Sequence, residues 1–437
     1  MFKIPVEATH LASCLKSFMQ KLPCVPHDVR CVVPNKKRFQ AWERFRLRCA
    51  VGLFYFLQGV VFSSWASRIP DVKTSLALSD AQLGGMLFAI PLGQLVMMPV
   101  SGALVSRFGS RICLAFALVC YSMTLFLCGL VAQFGTPHML FAGLFLWGCA
   151  GNLNNISVNT QGVGVERIYE RSIMATFHGL WSLAGFLAGL GSSFLVKFGI
   201  LPQEHFAGVA VLCFVLLAIF IRRTISSDGA KQGKIRAAGN DVSDSRAHKK
   251  IALADPFILL LGVLAGVCMG CEGVMYDWSA VYFADVVKPD ESLVRLGYTA
   301  SMFAMSSGRF VADFFITRFG QIRIIQVCSL LITSGLGLAI AFPNLACATL
   351  GFLLVGFGVS AVVPICYSLS GRANGIPVGK ALAAVSTVGF LGFLLGPPVI
   401  GFISEQLGSL RWAFLVVAIF AAGSAALAPR LRKFITP

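Results

Sequence analysis

The chain has 437 residues, 57% of them hydrophobic and 13% charged, with a formal net charge of +17 and a mean hydropathy of +0.79. Soluble proteins are about 45–50% apolar and about 25% charged, so this composition argues against a soluble globular enzyme. The positive charge does not form a basic face interleaved with aromatics, as nucleic acid would require. It sits between apolar runs, where anionic headgroups and membrane topology place it.

In chain order, residues 1–46 form a basic tail without the apolar core of about 7–15 residues that marks a secretory signal. Its end, "NKKRFQAWERFRLR" (residues 35–48), reads as a positive-inside anchor or an interfacial helix, with a targeting or partner-binding role as the alternative. Apolar runs of roughly 20 residues, the length that spans a bilayer as a helix, then fall at 47–69, 81–105, 112–132, 139–163, 172–198 and 206–222. Residues 223–253 are polar and rich in Gly, Ser and Ala, and read as a linker. Six more runs follow at 256–284, 295–317, 323–342, 345–369, 379–404 and 411–429. The pattern predicts an all-α membrane protein with twelve transmembrane helices in two six-helix bundles, over 47–222 and 254–430, and a short tail at 431–437.

Most of the 36 Lys and Arg residues fall in the termini, the linker and the loops on their side of the membrane. Arg68, Lys73, Lys197, Lys288, Arg295 and Arg411 lie on the other side. This bias predicts a multi-pass plasma-membrane protein with cytoplasmic termini and linker. The 14 cysteines lie mostly inside apolar runs, as small hydrophobes, and no disulfide framework is legible. Cys268-x-x-Cys271 lies mid-membrane, without the strand-to-helix setting of a redox motif.

The two halves repeat. Arg107-Phe108-Gly109 after the second run corresponds to Arg318-Phe319-Gly320 after the eighth. "GFLAG" (185–189) corresponds to "GFLLG" (392–396), and "WASRIP" (65–70) aligns with "WSAVYF" (278–283). Three matches in the same order, at offsets of about 210, predict two parallel, pseudo-symmetric bundles, an arrangement that places the substrate site near the bilayer midplane between the halves. With its 6+6 layout, central linker and paired R-F-G loops, the chain resembles the major facilitator superfamily across nearly all of 47–430. Stretches such as "SWASRIP" (64–70), "NTQGVGVER" (159–167), "FHGLWSLAG" (177–185), "EGVMYDW" (272–278) and "GRFVADFF" (308–315) are similar to a poorly characterised bacterial permease branch. The resemblance implies alternating access through a rocking bundle pair.

It also implies gating residues Arg107, Arg111 and Arg318 in the loop signature, and the residues themselves add Glu166, Arg167, Glu170 and Arg171 in the connection "VERIYER" (165–171). That connection reads as a salt-bridged turn or as part of the gate. The signature's Asp, thought in the family to help lock the cytoplasmic gate, is replaced by Ser106 and Thr317. Asp313 is placed to substitute in part, by pairing with Arg309 one turn away. Arg107 and Arg111 are left for headgroups or a helix C-terminus.

Inside the predicted spans, "GCEGVMYDWSA" (270–280) carries Glu272 and Asp277. An ionised acid at membrane depth costs at least about 2.5 kcal/mol, so it faces protein or water and usually has a role. Glu272 reads as a proton-coupling or substrate-binding group, or as a neutral bridge between helices. Asp277 reads as a rim residue pairing with Arg68 or Arg295. In "GNLNNISVNTQG" (151–162), Asn152, Asn155 and Asn159 share a helical face. Their amides suit a sugar, polyol or amino-acid cavity or interhelical hydrogen bonding. His178 would relay protons or rest on an Asn, and Trp181 would stack on a sugar face or pack. Pro397-Pro398, amid small residues, reads as a hinge in the eleventh span.

These features predict a proton-driven secondary transporter of a small polar organic solute, with no cofactor and no enzymatic activity. Its expected partners are the substrate, protons and lipids, without nucleic acid; the sequence leaves the oligomeric state open, a monomer being compatible with it. The alternatives are a drug or metabolite exporter of the same fold and a non-transporting membrane sensor or scaffold.

Overall fold

A computed structural model describes residues 41–169, 173–226, 255–373, 376 and 378–435, apart from the side chains at 41, 175, 313 and 378–380. The tail over 1–40, nearly all of the linker, Glu170, Arg171 and the Asp313 side chain lie outside the described residues. Within them the chain forms twelve helices of 18 residues or more. They are α1 (Ala41–Ser75), α2 (Asp80–Phe108), α3 (Ser110–Phe134), α4 (Pro137–Tyr169), α5 (Met174–Lys197) and α6 (Pro202–Phe220). After the linker come α7 (Pro256–Tyr282), α8 (Leu296–Phe319), α9 (Gln321–Ala341), α10 (Leu345–Ser370), α11 (Val378–Leu407) and α12 (Leu410–Leu427).

Ten of these are long and apolar enough to cross a membrane. The other two, α4 and α8, carry the amide run and Arg309, whose polar side chains lower their hydropathy. The twelve-span pattern therefore holds, with its two weakest members being those with polar residues at membrane depth. Helix α1 starts earlier than the apolar run, because the charged residues before it are good helix formers, and it continues past Pro70 to Ser75.

Local sequence sets the helix ends. Ser79 and Gln82 form a reciprocal capping box at the start of α2. Pro256 stands at the first turn of α7, and Asp255 Oδ1 accepts from the Phe257 and Ile258 amides at 2.9 and 3.0 Å. Gly109 (φ 85°, ψ 150°) joins α2 to α3, and Gly320 (φ 84°, ψ 152°) joins α8 to α9. Only glycine adopts that region readily. The two R-F-G loops therefore make the same turn, at equivalent places in the two halves.

Packing repeats in the same way. In the first half α1 lies on α5, α2 on α4, and α3 on both α4 and α6. In the second, α7 lies on α11, α8 on α10, and α9 on both α10 and α12. Each pair maps onto its counterpart six helices later. The halves meet through α2 with α11 and α5 with α8, a reciprocal pair of crossings, with α1 against α7 between them. At these crossings glycines allow backbone contact: a Cβ on Gly401 would lie 2.4 Å from the Asp80 carbonyl, and one on Gly84 2.6 Å from that of Pro397. Inside the second half, a Cβ on Gly392 would lie 2.0 Å from the Gly266 carbonyl. Gly392→Ala is expected to overpack α7 against α11 and cost about 1–3 kcal/mol, read as a lowered melting temperature of the purified protein.

Candidate functional site

The face where the linker emerges is called here the linker face, and the opposite one the far face. The acid in "GCEGVMYDWSA" lies where the halves meet. On α7, Glu272 and Tyr276 are one turn apart, and the Tyr276 hydroxyl donates to Glu272 Oε1 at 2.5 Å. Arg309, on antiparallel α8, reaches the same oxygen through Nη2 at 2.9 Å. Its Nη1 donates across the bundle boundary to Ser182 Oγ of α5 at 2.6 Å. Glu272 is 8% exposed, whereas a quarter of the Arg309 side chain is reached. A buried ion pair is retained only when its geometry is good and its remaining groups are hydrogen-bonded; here Tyr276 and Ser182 meet that requirement. Arg309 thus pairs with Glu272 on α7; the Asp313 side chain, the partner its sequence spacing suggested, lies outside the described residues.

Rings enclose this polar centre. Tyr276 meets Phe62 of α1 edge-on at 5.2 Å, Trp181 of α5 edge-on at 6.0 Å and Phe393 of α11 in a stack at 6.1 Å. Phe62 also tilts against Trp181 at 5.6 Å. Trp181 therefore stands beside the ion pair, on the first-half side.

Nearer the linker face, Tyr55 of α1 donates to Asn159 Oδ1 at 2.9 Å, and Asn159 returns to the Asn155 carbonyl at 2.8 Å. His178 lies edge-on to the Tyr55 ring at 5.5 Å and makes no hydrogen bond to an Asn among the described residues; Asn155 instead accepts from Asn159, and Asn159 from Tyr55. His178 is exposed, as is Asn155, and lies within electrostatic range of Arg309. Asn152, one turn deeper than Asn155, is buried, with Oδ1 unpartnered.

Gln161, further along α4 toward the linker face, is structural. Gln161 donates to Ser110 Oγ at 2.6 Å and to the Ile225 carbonyl at 2.9 Å, and accepts from the Ile225 amide at 2.8 Å. Gln161→Ala strands buried groups on two neighbouring segments. It is expected to cost about 1–3 kcal/mol, seen as a lower melting temperature with the apparent substrate affinity unchanged.

The far face holds a charge cluster that links the halves. Asp71 of α1 pairs with Arg68 at 3.4 Å and, across the boundary, with Arg295 at the head of α8. The two arginines are 1% and 2% exposed. Arg68 also donates to His205 Nδ1 at 3.3 Å and to the Ile200 carbonyl at 2.9 Å. Lys73 bridges Asp80 and Asp285, each at 2.5 Å. Ser404 of α11 bonds Asp80, and Glu405 accepts from the Ala81 amide at 3.2 Å. This corrects the expectation for Asp277: Arg68 and Arg295 are taken by Asp71, and Asp277, partly buried, makes no hydrogen bond or ion pair with a described residue.

The linker-face residues serve mainly within one half. Glu166 Oε2 accepts the Ile173 and Met174 amides at 3.0 Å each, so it caps α5; Glu170 and Arg171, the other members of the expected salt-bridged turn, lie outside the described residues. Arg111 bonds Thr224 Oγ1 at 3.2 Å and the Arg222 carbonyl at 3.3 Å, fastening α3 to the end of α6. Arg107 is exposed over the Phe108 ring at 5.2 Å, and Arg167 and Arg318 are exposed. Cys268 and Cys271 are buried and free. Among the described residues, no group of three or more His, Cys, Asp or Glu side chains is placed to hold a metal ion.

Sequence reasoning missed Tyr276, Ser182, Tyr55 and Asp71 as site members. Arg309 carried a signal, being a cation inside a span, but its partner lies 37 positions away.

Two pseudo-symmetric bundles with charged and hydroxyl side chains at their contact define a membrane transporter of the two-bundle class. The model of the Major Facilitator Superfamily matches residues 51–375 and 283–435, and the chain belongs to that superfamily. It is 32% identical over 371 residues to an uncharacterised MFS-type transporter of Yersinia pestis, covering 84% of this chain and 91% of that one. The fold is similar to the crystal structure of the nucleoside transporter NupG (TM-score 0.67, 17% identity, 90% of this chain and 99% of that one). It is also similar to a D-xylose-proton symporter (TM-score 0.66, 14% identity, 87% and 97%).

Proposed function

We propose that the chain is a proton-coupled secondary transporter of a small, neutral, hydroxyl-rich solute of sugar, polyol or nucleoside size, resident in the plasma membrane with its linker in the cytoplasm. The observation that carries this reading is the Glu272–Arg309 pair, tied to Ser182 of the other half and bounded by Tyr276 and Trp181. Aromatic faces receive the apolar face of a sugar or a base. The amides of Asn152 and Asn155 and the hydroxyls of Tyr276 and Ser182 supply hydrogen bonds without net charge. The ion pair is neutral as a whole, so an uncharged solute meets no uncompensated field.

A proton taken by Glu272 weakens its hold on Arg309 and, through Arg309, on Ser182. Protonation is thereby linked to the contact between the bundles. His178, beside Tyr55 toward the linker face, lies on the path by which that proton would enter or leave. Crowding of the inter-half links at the far face supports a state closed there and open toward the linker. The similarity to a nucleoside transporter and a sugar–proton symporter agrees with this substrate class.

The test is uptake by purified protein in proteoliposomes under an imposed pH gradient, with pentoses, hexoses, polyols and nucleosides offered in turn. Accumulation of one class that collapses with a protonophore is expected. Binding without flux for every class would favour the sensor reading, and outward pumping of apolar cations would favour the exporter.

A further inference from the structure

Helices α1, α5 and α6 leave a cleft of about 340 Å³ on the flank of the first bundle, in its far-face half. Its walls include Val60 and Ser64 of α1, Leu187, Gly191 and Phe194 of α5, and His205 of α6. It lies apart from the central site. The α5 residues that face the second bundle include Ser182, Gly185 and Gly189, which meet Arg309, Met302 and Thr299. Leu187 and Phe194, 45% and 62% exposed, point elsewhere, toward the surroundings of the helix bundle. From Leu187 to Leu195 the cleft runs about 12 Å along α5, and its volume is at the lower end of ligand pockets, about 300–1,000 Å³.

Two polar groups interrupt this apolar trough. Ser64 is fully buried, and its Oγ has no hydrogen-bond partner. His205 accepts from Arg68 on Nδ1, which leaves the proton on Nε2, and Nε2 bonds no described residue. His205 stands four positions into the numbered run from Leu201 that opens α6, at the far-face end of the span. That is the level where ester carbonyls meet the acyl region of a bilayer. Ser64 lies one helical turn deeper than Arg68.

We propose that this cleft is a binding site for one glycerophospholipid of the far leaflet. An acyl chain occupies the trough over Gly191 and Val60, and an ester carbonyl accepts from His205 Nε2–H or Ser64 Oγ–H. The chemistry is specific in kind: an apolar tail to fill the trough, and an acceptor oxygen near one end to satisfy two donors that the protein leaves unmet. A buried hydroxyl without a partner is costly, and in the membrane the lipid ester is the nearest acceptor. The site also adjoins the charge cluster: His205 holds Arg68, and Arg68 pairs with Asp71, which bridges to Arg295. The lipid thus touches a residue that helps close the far face.

The experiment is native mass spectrometry of the full chain released from detergent, with stepwise delipidation. Gly191→Phe is the discriminating variant, because a Cβ at Gly191 meets nothing within 4 Å and the ring fills the trough without displacing protein. Wild type is expected to retain one phospholipid per chain after bulk lipid is lost. Gly191→Phe should lose it while keeping its melting temperature, and Ser64→Ala should reduce retention several-fold. Retention in Gly191→Phe equal to wild type would overturn the proposal. So would a retained species that is not a phospholipid, including a transport substrate.

Discussion

Glu272→Gln is expected to abolish accumulation driven by a pH gradient, by at least tenfold, while solute exchange at equal pH persists. Glutamine keeps the shape and still accepts from Tyr276, but it cannot take up and release a proton and leaves Arg309 without its counter-charge. Breaking a buried ion pair by removing one member costs about 3–5 kcal/mol, whereas removing both members is often nearly neutral. The single variant is therefore expected to melt at a lower temperature than wild type. The double variant Glu272→Gln, Arg309→Gln is expected to recover much of that stability without recovering the gradient drive. Stability and coupling then separate, which a purely structural ion pair would not produce. Gradient-driven uptake unchanged in Glu272→Gln would remove Glu272 from the coupling step.

Asp71→Asn is expected to open the far face. Asp71 serves Arg68 and Arg295 together, and those arginines come from different halves. Without the carboxylate, two almost fully buried guanidiniums sit together uncompensated as long as the far face is closed. Opening hydrates them. At the lower bound for a broken buried pair, about 3 kcal/mol, the balance between the two states moves by roughly a hundredfold, since about 1.4 kcal/mol is a factor of ten. Spin labels on the α1–α2 and α7–α8 connections are expected to show a longer distance population in Asp71→Asn, and a distribution close to wild type in Asp71→Glu. Identical distributions in wild type and Asp71→Asn would mean that Lys73, Ser404 and Glu405 hold the far face alone.

The helices were legible because membrane spans are set by local content: each needs about 20 apolar residues, and the backbone satisfies its own hydrogen bonds within the segment. The duplication was legible because the R-F-G loops demand the same turn twice, and Gly109 and Gly320 adopt it within a few degrees of each other. Arg309 and Glu272 stood out individually, since charge at membrane depth is expensive wherever it occurs. Their pairing did not, nor did the choice of Asp71 over Asp277 for Arg68 and Arg295. Sequence spacing pointed Arg309 to Asp313, one turn away on the same helix, and gave no sign of Glu272 on α7, the partner that the fold brings to it.

What the amino-acid order determined by itself was therefore a duplicated, lipid-embedded helical bundle with a few charged and amide residues inside it. Only the tertiary structure decided which of those residues meet at the boundary between the halves, because α5, α7 and α8 converge there from distant parts of the chain. It also decided that Glu166 and Gln161, which look alike as polar residues near a loop, brace one half. The physical reason is that hydropathy and turn geometry act over a few residues. Hydrogen bonds and ion pairs between bundles act over a few ångströms, and in a twelve-helix fold those ångströms separate positions as far apart in sequence as Asp71 and Arg295.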